Sequence, residues 1–239
     1  MKNLKIALLV GLLTFMANDG YGQIKRKWIT LFDGETMRGW RGYNRVDIPE
    51  AWSIEDHTLK INKKTKIKGA YSERGDIIFT TPFKDFELRL QYKVDSGSNS
   101  GVLYLVTEKP GRRIYEAAPE FQVLDNDNHP DAKKGKEGNR KAGSLYDMIA
   151  ANPQVGKPYG EWNKVRIIVK DGHVKHYLNG KKVVEYILWN DEWKSRVADS
   201  KFKAWPDFLT PGGEAKAGFI ALQDHNDNVW FRNIKVRIL

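Results

Sequence analysis

Two hairpin turns constrain the fold of this 239-residue chain more than any other feature of its sequence. Asp171-Gly172 and Asn179-Gly180 are typical of the tight two-residue turns that join antiparallel strands, because both positions of such turns favour a positive φ. The segments that they separate, residues 162–170, 173–178 and 182–186, are rich in β-branched and aromatic residues. The sequence therefore predicts three consecutive antiparallel strands.

Short strands separated by turn residues also account for most of the remaining chain. Further strands are predicted at residues 52–54, 58–61, 83–94, 102–107, 120–124, 218–223 and 229–238. One short helix is expected, within residues 189–203. Many short strands with so little helix bury their apolar faces best when one sheet packs on another. We therefore predict an all-β fold, an antiparallel two-sheet jelly-roll sandwich with long loops.

The N-terminus has the features of an export signal. Basic residues precede an apolar run at residues 6–15, and Gly20-Tyr21-Gly22 resembles a small-residue cleavage site. The run is shorter than the about 20 residues that span a bilayer as a helix. We expect a signal peptide at residues 1–22 and a single domain at residues 23–239 with no membrane segment. Since the chain has no cysteine, a bacterial periplasmic or secreted location is expected.

The chain is basic, with a formal net charge of +10. Much of this excess lies in short patches at residues 63–68, 133–141 and 181–182, which are typical of solvated loops and turns. Nucleic acid is therefore not expected as a partner. A solvated surface, or weak attraction to anionic material of the cell envelope, is the simpler interpretation.

The strand at residues 120–124 carries the first candidate functional residues. Phe121 and Val123 alternate with Glu120 and Gln122, and the period of two directs the polar pair to one face of a sheet. A stretch of carboxylates, amides and one imidazole follows at residues 125–130. This arrangement predicts the rim of a site for a sugar-sized polar ligand.

A second polar pair, Gln223 and His225, shares a strand face in the same way. If the two faces coincide, a glutamate, two amides and an imidazole converge on one groove, which Asn99 could reach from its edge. A single exposed glutamate or histidine on a strand is more often a surface residue. The functional prediction therefore depends on this convergence.

The chain lacks the signatures of a strong nucleophile or a phosphate-binding loop, since it has no cysteine, no Gly-x-Ser-x-Gly and no His-Glu-x-x-His. Any catalysis would therefore have to use carboxylate and imidazole side chains. Alternatively, Asp125, Asp127 and His129 are candidate ligands of a divalent cation such as Ca²⁺, which prefers carboxylate and amide oxygens. Their spacing matches no specific metal-binding loop, so metal ligands are not assigned.

Seven short motifs carry a resemblance to a known family. They lie at residues 31–34 with 39–40, 99–101, 120–125, 142–147, 160–163, 176–180, and 222–225 with 231–235. In this order, over residues 28–239, the chain resembles the 3-keto-disaccharide hydrolase family. The resemblance implies a concanavalin-like jelly roll. Members often have an arginine where this chain has Leu105, and whether Arg89, Arg112 or Arg113 replaces it is left open.

The resemblance implies an enzyme that cleaves glycosides whose sugar has been oxidised to a ketone at C3. Such a ketone acidifies the C2 proton, so a general base can start the elimination of the aglycone without a nucleophile. The candidate catalytic groups are Glu120, His225 and Asp125. The candidate substrate-binding groups are Gln122, Gln223, Tyr146, His129, Asn99 and Asp224. A cation polarising the ketone is an alternative, with Glu120, Asp125 and His225 as candidate ligands.

Two other functions compete with this interpretation. A conventional glycosidase needs two carboxylates, which Glu120 with Asp125 or Asp224 would supply. A non-catalytic glycan-binding module is the other, because jelly rolls are also common among lectins and fold alone does not determine function.

Overall fold

The protein, described here by a computed structural model for residues 27–63 and 74–239, consists of two antiparallel sheets and one α-helix. The strands are β1 (Ile29–Thr30), β2 (Trp40–Gly42), β3 (Trp52–Glu55), β4 (Thr58–Ile61), β5 (Ile77–Phe79), β6 (Phe86–Val94), β7 (Asn99–Val106), β8 (Glu120–Leu124), β9 (Asn163–Lys170), β10 (His173–Leu178), β11 (Lys181–Ile187), β12 (Phe219–Leu222) and β13 (Val229–Ile238). The predicted all-β fold is confirmed. The predicted signal peptide lies outside the described residues.

The larger sheet has eight strands in the order β11-β10-β9-β6-β13-β4-β3, with β1 also paired to β13. The predicted meander forms one side of it as β9, β10 and β11. Its two turns have the expected backbone, since φ is 49° at Asp171 and 78° at Gly172, and 49° at Asn179 and 85° at Gly180. The turn chemistry read from the sequence therefore sets the register where the strands leave the turns, and the β10–β11 register then shifts between Tyr177 and His176.

The smaller sheet has five strands in the order β2-β5-β12-β7-β8. Its register places Glu120 of β8 opposite Leu103 of β7, and Gln122 opposite Gly101. Phe121 and Val123 point the other way, into the core between the sheets. The predicted alternation is thus confirmed, and the polar residues of β8 lie on the outer face of the sandwich.

Three polar rings form a hydrogen-bonded chain within the largely apolar core between the sheets. Tyr104, His176 and Tyr186 are all buried there. The Tyr104 hydroxyl lies 2.7 Å from Nε2 of His176 and 2.5 Å from the Tyr186 hydroxyl, while Nδ1 of His176 lies 3.2 Å from the carbonyl oxygen of Gly143. Because burial disfavours the imidazolium, the pKa of His176 is lowered to about 4.

Residues 143–146, the cover segment, pair with the free edge of β8. The amides of Gly143 and Tyr146 donate to the carbonyl oxygens of Gln122 and Glu120, at 2.9 and 3.1 Å, and the Gln122 amide donates to the Ser144 carbonyl at 3.1 Å. The bond between His176 and Gly143 ties this segment to the core. The cover segment therefore brings Tyr146 over the outer face of the smaller sheet.

The helix α1 (Asp191–Ala198) lies within the segment expected to be helical. The Asn190 side chain accepts a hydrogen bond from the Trp193 amide at 2.7 Å and so caps its first turn. Trp193 and Val197 are buried, and a short 3₁₀ turn at Lys201–Ala204 follows. No helix in the described part of the chain is long and apolar enough to cross a membrane.

Candidate active site

A cavity of about 210 Å³ lies on the outer face of the smaller sheet. It is lined by Asn99, Tyr115, Glu120, Gln122, Tyr146, Lys201, Gln223 and His225. Six of these eight were candidates from the sequence, so the two polar strand faces do coincide. The cavity offers one carboxylate, three amides and two cationic groups, and it is large enough for about one sugar ring.

The position of Glu120 depends on the glycine beside it. A Cβ atom added to Gly101 would lie 2.4 Å from Oε1 of Glu120 and 2.8 Å from its Cγ. Real Cβ atoms do not approach other atoms so closely, so the Glu120 side chain lies across the space that a larger residue on β7 would fill. The Asn-Ser-Gly motif therefore shapes the cavity through its glycine.

Glu120 is only 4% exposed although it lines the cavity. Burial raises the pKa of its carboxyl to about 8, and the positive charges of Lys201 and His225 limit this rise. The neighbouring carboxylates Asp76 and Asp131 add to it. Glu120 is thus a carboxyl group that exchanges its proton near neutral pH.

Lys201 provides one positive charge at the cavity. Its ammonium group lies 4.1 Å from the ring centroid of Tyr146 and 5.8 Å from that of Tyr115, while the residue is otherwise exposed. Desolvation lowers the pKa of Lys201, and the Glu120 carboxylate opposes this shift. Because Lys201 begins the 3₁₀ turn after α1, the helix positions this charge.

His225 provides the second positive charge. Its Nδ1 lies 3.8 Å from Oδ2 of Asp227, and this carboxylate raises the pKa of the imidazole, with Glu120 adding to the effect. The ring is about half exposed, so it can exchange protons with solvent. The raised pKa favours the protonated imidazole, so His225 is suited to donate a proton within the cavity.

Two of the three amides, those of Gln122 and Asn99, differ in their hydrogen bonding. Gln122 is fully buried, donates to the Arg140 carbonyl at 3.2 Å and accepts from the Val123 amide at 3.2 Å. Oδ1 of Asn99 is buried and has no hydrogen-bond partner among the described residues. Buried polar atoms are rarely left unpaired, so Asn99 is ready to accept a hydrogen bond from a ligand hydroxyl.

Tyr146 forms one wall of the cavity and is not suited to act as a general acid. Its hydroxyl donates to Oδ2 of Asp131 at 2.8 Å, and Arg140 binds the other oxygen of Asp131 at 3.1 Å. Burial, together with this hydrogen bond, raises the pKa of Tyr146. The ring is therefore held in place and keeps its proton.

Two predicted site residues, Asp125 and Asp224, do not line the cavity. Asp125 accepts hydrogen bonds from the Gly97 amide at 2.8 Å and the Asn128 side chain at 2.7 Å. Burial alone would raise the pKa of Asp125, but these bonds lower it overall. Asp224 binds Arg74 at 2.5 Å. Both carboxylates hold loops next to the cavity.

The predicted residue His129 lies beside the cavity, where its ring centroid is 5.9 Å from that of His225. Potential ligand atoms of His129, His225 and Asp227 all lie within 4.8 Å of one another. Two imidazoles and one carboxylate suit a transition metal better than Ca²⁺. However, Nδ1 of His129 accepts the Asp131 amide at 3.1 Å, so in the neutral ring Nε2 carries the proton. Cation binding through Nε2 would require the ring to give up this bond.

Sequence reasoning missed Tyr115, Lys201 and the nearby Asp76. Asp76 accepts the Asp224 amide at 2.8 Å, and burial raises its pKa to about 7. Lys201 and Tyr115 lie in connecting segments without strand periodicity, so nothing in the pattern marks them. Leu105, which stands where family members often have an arginine, is buried in the core. In this chain Lys201 supplies a positive charge at the cavity.

One known family, described as the 3-keto-α-glucoside-1,2-lyase-like domain, matches residues 27–237. The chain belongs to this family. The resemblance recognised from the seven motifs is therefore confirmed, and with it the assignment to carbohydrate-active enzymes.

Known proteins resemble the chain at several levels. A 3-keto-disaccharide hydrolase of Bacteroides thetaiotaomicron is 47% identical over 253 residues, which cover 100% of this chain and 85% of that protein. A crystal structure of a Parabacteroides distasonis protein assigned to the glycosyl hydrolases is 32% identical, with a TM-score of 0.76 over 89% of this chain and 94% of the other. A Bacillus subtilis protein with a galectin-like fold, 14% identical with a TM-score of 0.50 over 83% and 88%, is similar in fold alone.

Proposed function

We propose that the protein cleaves 3-keto-glycosides by elimination followed by hydration, with Glu120 as the general base. The observation that carries this proposal is the buried Glu120 carboxyl, whose pKa of about 8 lies close to neutral pH. A general base works best when its pKa is near the working pH. The family and the 47% identical hydrolase support this choice of substrate class.

The reaction follows from the acidity that the C3 ketone gives to C2. Glu120 takes the C2 proton, and the electrons of that bond form an enolate whose negative charge lies on the C3 oxygen. The bond from C1 to the aglycone oxygen then breaks, the C3 carbonyl re-forms, and a double bond joins C1 and C2. Addition of water to this enone, with hydroxide at C1 and a proton at C2, completes net hydrolysis.

The cationic groups serve the two oxygens on which negative charge develops. We assign Lys201 to the enolate oxygen, because its ammonium group lies at the cavity close enough to interact with the Glu120 carboxyl. A positive charge in that place would stabilise the negative charge that develops on the C3 oxygen. We assign His225 to the leaving oxygen, because Asp227 favours its protonated form. Gln122, Gln223 and Asn99 would bind the hydroxyl groups of the sugar.

The arrangement of carboxylates disfavours a conventional glycosidase. Glu120 is the only carboxylate that lines the cavity within the described ranges, and the two aspartates suggested as its partner are engaged in loop hydrogen bonds. A mechanism with two carboxylates would need both beside the scissile bond. The elimination needs only one.

Product analysis by NMR in D₂O tests the proposal. The protein would be incubated with a 3-keto-glucoside of p-nitrophenol and, separately, with the unoxidised glucoside. We expect turnover of the ketone only, with deuterium at C2 of the free 3-keto-glucose, because the proton that returns to C2 comes from solvent. Direct displacement at C1 would leave the original hydrogen at C2 and would refute the elimination.

Variants and a chelator complete this experiment. Glu120→Gln should reduce kcat at least a thousandfold, whereas Glu137→Gln, which alters an exposed loop glutamate, should leave it unchanged. Equal rates in Glu120→Gln and the parent would refute the assignment of the base. A parallel reaction with EDTA tests for a cation at His129, His225 and Asp227. Binding of the sugar without any turnover would identify a glycan-binding module.

A further inference from the structure

The outer face of the larger sheet, on the side of the sandwich opposite the candidate active site, carries an unusual density of positive charge. This basic face comprises Lys60, Arg89, Lys93, Lys164, Arg166, Lys175, Arg232, Lys235 and Arg237. In the middle of the sheet, Lys235 of β13 lies opposite Arg89 of β6, and Arg89 lies opposite Arg166 of β9. Like charges directly opposite one another destabilise a sheet, so this row has an energetic cost.

One buried carboxylate neutralises part of the basic face. Glu87 binds Arg89 and Arg166 at 2.7 Å and Arg237 at 2.5 Å. Burial alone would raise the pKa of Glu87, but the three guanidinium groups lower it overall. A single negative charge thus holds three arginines in fixed positions and leaves the face strongly positive.

Three other cations of the face, Lys164, Arg232 and Lys235, have no carboxylate partner among the described residues, whereas Lys60 pairs with Glu55 and Lys175 with Glu185. Lys235 lies over the ring of Trp28 at 5.1 Å, and Arg232 lies over the ring of Trp162 at 3.8 Å. Lys164 is exposed. Contacts with aromatic rings orient cations without cancelling their charge. These groups are therefore available to an anionic ligand.

A cavity of about 500 Å³ opens on this same face. Arg89, Lys164 and Lys235 line it together with hydrogen-bonding groups of Thr30, Gln91 and Asn233. One carboxylate, Asp33, also lines it, and its oxygens accept hydrogen bonds from the Glu35 and Thr36 amides and the Thr36 hydroxyl. It lies where a bulge interrupts β13, at Asn233, whose φ is 54°. Bulges commonly mark binding sites in sheets because they open the regular surface.

We propose that the basic face binds an anionic polysaccharide, with one acidic sugar seated in this cavity. The cations match carboxylate or sulfate groups, and the amide and hydroxyl groups beside them match the neutral hydroxyls of a sugar ring. Cations on β13, β6 and β9 span about 10 Å, which is two strand spacings, so a linear polymer crossing the strands meets several of them. A lipid surface would not use the recessed hydrogen-bonding groups of the cavity.

Affinity measurements on the full protein test this proposal. The probes are polygalacturonate, which carries carboxylates, dextran sulfate, which carries sulfates, and neutral dextran. Binding would be measured by calorimetry at about 0.1 M salt, where charges about 10 Å apart are already screened. The variant Lys164→Glu/Lys235→Glu would be compared with Lys84→Glu/Lys133→Glu, which changes the net charge equally at exposed positions outside the cavity.

We expect the parent protein to bind at least one of the anionic polymers and not neutral dextran. Lys164→Glu/Lys235→Glu should bind at least tenfold more weakly, and the control variant within twofold of the parent, while both turn over the 3-keto-glucoside at the parent rate. Carboxylate and sulfate probes then distinguish the two ligand chemistries. No binding to either polymer, equal weakening in the control variant, or tighter binding to phosphatidylglycerol vesicles or duplex DNA would overturn the proposal.

Discussion

Replacing Glu120 with glutamine should make the protein more stable at alkaline pH. In the folded protein burial raises the pKa of Glu120 from 4.5 to about 8. The folded state therefore binds this proton more tightly than the unfolded state, and the free energy of unfolding falls as pH rises from about 4.5 to about 8. At about 1.4 kcal/mol per pH unit, the full effect amounts to about 5 kcal/mol.

Glu120→Gln removes this titration but keeps the shape and burial of the side chain. Chemical denaturation of the parent and variant at pH 5, 7 and 9 measures the difference. We expect that difference to be small near pH 5 and to increase towards about 5 kcal/mol in favour of the variant at pH 9. The cations Lys201 and His225 titrate together with Glu120, so this value is an upper limit.

The control for this experiment is Glu137→Gln, in which the glutamate is exposed. Its stability should follow that of the parent at every pH. If the stability curves of Glu120→Gln and the parent are parallel from pH 5 to pH 9, Glu120 titrates normally in the folded protein, and the argument from its burial is wrong. A variant that is more stable but inactive would show that activity requires a buried carboxylate that lowers the stability of the folded protein.

Three further predictions concern the surroundings of the site. His176 should stay neutral in NMR titrations down to about pH 4. The free energy of unfolding should fall by about 3 kcal/mol as pH decreases from about 6.5 to about 4, because only the unfolded state then binds the proton. A ring titrating near pH 6.5 would contradict this. Gly101→Ala should lower kcat at least tenfold with little change in fold by circular dichroism, because the added Cβ displaces Glu120; full activity would disprove the contact. Tyr146→Phe should lower the free energy of unfolding by about 1–2 kcal/mol, because Asp131 loses a hydrogen-bond donor. An unchanged midpoint in chemical denaturation would argue against that bond.

Much of this fold could be predicted because its determinants are local. The turns at Asp171-Gly172 and Asn179-Gly180 fix backbone geometry within two residues, and the alternation in β8 fixes which side chains face outward. The convergence of Glu120 with Gln223 and His225 followed from the same period of two. It also required β8, β7 and β12 to be neighbours in one sheet, which the sequence pattern does not specify.

The site residues that could not be predicted from the sequence depend on contacts between distant segments. Lys201 reaches the cavity because the 3₁₀ turn after α1 packs against the cover segment, with the Phe202 ring 6.5 Å from that of Tyr146. No strand pattern marks that position. Asp125 was expected in the site because it follows β8 directly. However, its carboxylate satisfies the amide of Gly97 and the side chain of Asn128 instead. Loop hydrogen bonds of this kind are decided by tertiary structure and not by spacing in the sequence.

The pairing between the cover segment and β8 has a consequence beyond the cavity. An uncovered edge strand offers free amide and carbonyl groups to the edge of another molecule and so promotes aggregation. Gly143, Ser144 and Tyr146 occupy those groups on β8. The segment that encloses the candidate cavity thus also covers the free edge of β8, and a deletion that opened the cavity would expose a strand able to template intermolecular sheets.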